Sequence, residues 1–210
     1  MRSTQFGGSA PLSRQFADGV LIFTVVSAAG WCFEKIGRLL LYRDVADRGF
    51  LSMPLCPIYG TCVLLIGLTL GSPSAPSPFL SRLFDKQKKP PQWVQLLWRT
   101  VLYFLAATAL STAVELVVGL IFRAFDIPLW DYSGRPGNLW GVICPTFSLL
   151  WGFLITTLMS LCWAPLCRLT GRIPLRVARP LATVLVALIL LDFCANCLFV
   201  LLYGERFLIL

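Results

Sequence analysis

The chain has no histidine at all, and only 13% of its 210 residues are charged. Without imidazole there is no Ser-His-Asp or Cys-His catalysis and no His-ligated zinc or haem. The low charge is equally restrictive, because soluble domains average about 25% charged residues. Acidic residues are scarcest, 10 against 18 Lys and Arg, and no GxxxxGK[ST] string occurs, so the chain carries no Walker-type nucleotide site of its own. No cluster of metal-ligating residues and no cofactor motif stands out; none of either is expected. What is abundant is apolar: 57% of residues are hydrophobic and the mean hydropathy is +0.77. A water-soluble fold of this length could not bury so much apolar surface, whereas a lipid bilayer removes the need.

A spanning helix takes roughly 20 predominantly apolar residues. Five stretches fit, at about 19–41, 54–71, 100–122, 147–167 and 181–203, so the expected fold is an all-α polytopic membrane bundle of about five helices. Residues 1–18 read as a disordered polar tail, and 72–92 as a surface linker rich in Pro, Ser and Lys. Pro54 and Pro57 predict that the second span does not begin as regular helix. The basic residues sit in short connections, a topology-setting pattern that argues against nucleic acid as a partner. With five crossings, 11 of the 18 Lys and Arg share the face of the amino terminus and 7 the opposite face. The expected location is therefore the cell membrane, amino terminus cytoplasmic and carboxyl terminus outside.

The first four spans look like two copies of one helix–loop–helix unit. Glu34 precedes a basic-aromatic helix end, a polar loop and Cys56-Pro57; Glu115 precedes a similar end, a loop and Cys144-Pro145. Both glutamates are expected roughly 10 Å inside one membrane face. A carboxylate at that depth must be paired, protonated or hydrated. Glu34 has Arg38 at i+4, which allows a simple snorkelling pair. Glu115 has no cation on its own helix, so its partner must come from elsewhere. Asp192 is a third intramembrane acid, with Asn196 one turn on to hydrogen-bond it. The stripe Ser148, Gly152, Thr156 and Ser160 suits close helix packing. Most of the eight cysteines lie in apolar runs and read as small hydrophobes; Cys56 and Cys144, equivalent in the repeat, could meet as free thiols or as a disulfide.

The string Arg48-Gly49-Phe50-Leu51, then Pro54-Leu55-Cys56-Pro57-Ile58-Tyr59-Gly60, is followed in the second unit by Trp130-Asp131-Tyr132-Ser133, Asn138, Gly141 and Ile143-Cys144. With Gly30-Trp31 and Trp151-Gly152, these residues resemble the ABC-transporter permease family of small bacterial membrane proteins (the CmpB-like, type IV group). This chain departs from it at Ser52-Met53, where the family more often has Asn-Gly, and at Val142, where a basic residue is more usual. The resemblance implies a transport role without a defined substrate. Arg48, Asp131, Tyr132 and Asn138 are expected to converge over Glu34 and Glu115, the alternative for Asp131-Tyr132-Ser133 being a plain turn. Three functions compete. One is a permease-like component whose acids bind a cationic or proton-coupled substrate, working with a separate ATPase subunit or as a homo-oligomer. Another is a non-catalytic assembly or regulatory protein. The third is a membrane enzyme acting on a lipid or envelope intermediate, with Glu34, Glu115 or Asp131 as acid/base.

Overall fold

A computed structural model describes residues 11–43, 49–77 and 91–204. It contains six helices, α1 (Leu12–Tyr42), α2 (Pro57–Thr69), α3 (Gln92–Ala124), α4 (Pro145–Leu161), α5 (Trp163–Arg172) and α6 (Leu175–Tyr203), and one short hairpin of β1 (Gly71–Ser72) with β2 (Ala75–Pro76). The all-α class expected from composition is what the chain adopts. Proline starts most of these helices: Pro11, Pro91 and Pro174 stand at the N-caps of α1, α3 and α6, and Pro57 and Pro145 in the first turn of α2 and α4. There the missing N–H is no loss and the fixed φ already suits the helix.

Three helices, α1, α3 and α6, are long and apolar enough to cross a membrane. Helices α4 and α5 pass that test only as a pair, bent by 50°. The expected span 147–167 is therefore not one straight helix. Pro165 explains the break: a helix running through it would set its ring against the carbonyl of Leu161, where α4 ends. Helix α2, with 13 residues, is about 20 Å long, short of a hydrocarbon core of about 30 Å.

The short helix α2 lies at the centre. Its Cys62, Val63 and Ile66 form one buried cluster with Ile22 and Val26 of α1, Tyr103 and Ala107 of α3, Ile155 and Met159 of α4 and Trp163 of α5. Helix α6 packs on α1 through Ala17, Leu21, Ala178 and Ala182, and the three alanines permit close approach. Elsewhere α6 presents Leu188, Leu191, Leu198 and Leu201 outward, as a lipid-facing helix should.

Two boundaries differ from the sequence reading. Residues 12–18 belong to α1 rather than to a tail. Arg14 pairs with Asp18 at 2.9 Å, donates to Ile173 O at 2.6 Å, and also reaches Thr170 O. A cation on the last carbonyls of α5 is favourable for its helix dipole. The start of the linker is also ordered: Tyr103 donates its hydroxyl to Gly71 O at 2.7 Å, and Ser77 N–H closes onto Leu70 O at 2.8 Å.

Candidate functional site

Glu34 lies eight residues before the end of α1, and Glu115 nine before the end of α3. At 1.5 Å per residue the two carboxylates are at similar depths, roughly 12–14 Å from their helix ends.

Tyr59, the third residue of α2, donates its hydroxyl to Glu34 Oε1 at 2.7 Å. The register of α2 against α1 sets up this bond. Cys56, the N-cap, donates its N–H to Ser27 O at 2.9 Å, which fixes where the helix begins. Gly30, one turn before Glu34, leaves room for the tyrosine: a Cβ there would fall on the Tyr59 ring carbons. Gly60 is likewise buried beside Ser27.

Glu115 is only 4% exposed. Its Oε1 accepts from the Tyr132 hydroxyl at 3.0 Å and from Trp151 Nε1 at 3.2 Å. Its Oε2 is buried with no hydrogen-bond partner among the described residues. Trp151 links Glu115 to the surroundings of Glu34, because its ring also meets Tyr59 edge-on at 5.2 Å and Phe33 at 6.5 Å. Tyr132 in turn stacks on Phe147 at 4.7 Å, and the Arg135 guanidinium stands 5.8 Å over that phenyl ring. One connected path thus runs Glu34, Tyr59, Trp151, Glu115, Tyr132. Among the described residues the one ion pair is Arg14–Asp18, so neither glutamate has an ionic partner there.

The loop between α3 and α4 is built to hold Tyr132. Its N–H donates to Gly141 O at 2.8 Å, and Trp130 Nε1 donates to Val142 O at 2.8 Å. Asn138 donates to Ser133 O and Arg135 O and accepts from Gly141 N–H at 3.0 Å. Gly141 has φ +65°, which favours glycine, and a Cβ there would meet Asp131 and Ser133. Asp131 points away from the carboxylates: it is exposed and accepts from the N–H and hydroxyl of Ser133 at 3.0 and 2.6 Å, the turn reading. The Ser133 hydroxyl, then its N–H, hold the Asp131 carboxyl below its ordinary range. Burial, then the charge and hydrogen bond of Glu115, then the charge of Glu34, push the Tyr132 phenol well above its usual value.

Asp192 serves a different place. Its Oδ1 and Oδ2 accept from the N–H groups of Ser52 and Met53 at 3.2 and 2.9 Å. The fully buried Asn196 donates to Asp192 Oδ1 and to Ser52 Oγ, each at 3.0 Å. The irregular stretch 49–56 is thereby clamped to α6, with Gly49 buried, Phe50 between Phe122 and Phe193 at 4.8 and 5.2 Å, and Leu51 and Leu55 buried beneath; Pro54 is exposed. Backbone that is not helical at membrane depth needs such cover. Cys56 and Cys144 occupy the N-caps of α2 and α4 as free thiols. Arg48 lies outside the described residues. Trp151 is the site residue that the sequence reading did not single out; its only signal is its place in the Trp151-Gly152 string. Among the described residues no group of three or more metal-ligating side chains forms.

Residues 21–197 match the family described as "Putative ABC-transporter type IV". The chain belongs to this family. The match takes in both glutamates and Asp192, and it gives this ABC-transporter type IV protein a general role in membrane transport. Searches among curated proteins and among solved structures each gave no match.

Proposed function

We propose that this type IV family member is the membrane-embedded, permease-like component of an ATP-driven transporter, and that Glu34 and Glu115 belong to its substrate path. The observation that carries the reading is Glu115, a carboxylate buried in the bundle interior and held by Tyr132 and Trp151 with one oxygen left over. An ionisable group inside a transmembrane bundle is costly, and such groups mark substrate and ion pathways. In this reading α1–α2 and α3–α4 are duplicated hairpins, each opening its second helix with Cys-Pro, and their loops share one face. Helix α2, completed by the clamped stretch 49–56, makes a fifth crossing, which leaves the amino terminus in the cytoplasm and the carboxyl terminus outside. The chain carries no phosphate-binding motif, so ATP hydrolysis falls to a separate subunit.

Purification of the tagged full-length chain from its native membranes in mild detergent tests this. A nucleotide-binding ATPase is expected to co-purify in fixed stoichiometry, its activity reduced by Glu115→Gln. A chain that purifies without any ATPase, at full occupancy of the membrane, would overturn the permease assignment.

A further inference from the structure

We propose that the Glu34–Glu115 network binds an organic cation of the alkylammonium class, in preference to a metal ion. The inference rests on the transport reading above and names its substrate class. Three features point the same way.

The first is charge. Two carboxylates at one depth have no ion-pair partner among the described residues, and Glu115 keeps Oε2 buried, unpartnered, inside the network. A buried carboxylate oxygen left open calls for a cation or a proton. Anionic ligands would be repelled.

The second is the wall. Tyr59 donates to Glu34, and Tyr132 and Trp151 donate to Glu115; behind them Phe33 and Tyr59 meet the Trp151 ring, and Phe147 stacks on Tyr132. Aromatic faces attract cations through the ring quadrupole, most strongly where water is excluded, and they recognise quaternary ammonium groups in this way. The outer edge of the network already holds one cation so: the Arg135 guanidinium over Phe147.

The third is the shortage of oxygen ligands. Calcium takes 6–8 oxygens and magnesium an octahedral shell. Here Tyr59, Tyr132 and Trp151 direct their hydrogens at the Oε1 atoms, so their donors occupy carboxylate lone pairs that a metal would need. No three-residue metal cluster exists among the described residues. Carboxylate charge combined with aromatic faces suits a weakly hydrated cation instead.

Isothermal titration of the purified full-length protein in detergent micelles tests this, with choline as probe. Its uncharged carbon isostere, 3,3-dimethylbutan-1-ol, and sodium and potassium chloride are the comparators. Choline is expected to bind saturably, with the isostere and both metal ions at least tenfold weaker. Trp151→Leu and Glu115→Gln should each weaken choline at least tenfold, while Trp151→Phe, which keeps an aromatic face, should retain most of the affinity. The wild-type comparison needs no variant to fold. No saturable choline binding, or equal binding of isostere or sodium, would overturn the proposal. Choline bound but never accumulated by vesicles with ATP would contradict the transport reading alone. Glu115-dependent ATP-driven transport without choline binding would contradict the substrate class alone.

Discussion

Gly30 and Tyr132 are the residues on which the site's geometry turns most sharply. A methyl group at Gly30 has nowhere to go, because the atoms it meets are the Tyr59 ring and Cβ, close to the backbone rather than at a flexible tip. Gly30→Ala is expected to cost about 1–3 kcal/mol through overpacking, read as a lower melting temperature in detergent. An unchanged melt would mean that Tyr59 does not lie against α1. Tyr132 gives a prediction in pH. Its phenol is raised above the ordinary value of about 10, so the neutral form, and the bond it donates to Glu115, persist below that pH and are lost only as pH rises through the higher folded value. Subtracting the ultraviolet titration of Tyr132→Phe from that of the native protein should leave no tyrosinate step near pH 10. A step there would place the ring in water. At this scale the two glutamates were legible because a carboxylate contrasts with an apolar run. Trp151 was not, since an indole in such a run looks like any lipid-facing residue until a partner 36 positions away is known.

At the scale of elements, the irregular stretch 49–56 is the clearest case of structure held by a distant partner. Asp192 takes two of its N–H groups across about 140 positions of sequence. Asp192→Ala should leave those donors without partners at membrane depth, costing about 1–3 kcal/mol. A cysteine introduced at Ser52 should then react faster with a water-soluble maleimide than it does beside intact Asp192; equal rates would contradict the clamp. Pro54 and Pro57 showed in advance that α2 would start late, and Pro165 carried the signal for the bend between α4 and α5. The bond between Asp192 and Asn196 could be read from spacing along one helix, but the hold of Asp192 on the loop could not, because nothing local links them. The helical start of α1 was hidden for a similar reason: Arg14 looks like tail until Ile173 and Thr170 come within its reach.

For the whole molecule, the membrane class and all-α bundle followed from composition and run length, which depend only on solvent. The number of crossings is less direct, because α2 is short and α4–α5 is bent. Single cysteines placed at residues 8 and 207 should label from opposite sides of the membrane if the crossings are odd in number, and from the same side if they are even. Tyr59 and Trp151 join Glu34 and Glu115 into one site. A double-mutant cycle on stability tests it most directly, using Glu34→Gln, Glu115→Gln and the pair. A shared site predicts a coupling of about 0.5–3 kcal/mol. Losses that add to within about 0.5 kcal/mol would show two independent carboxylates, and the single site would be wrong.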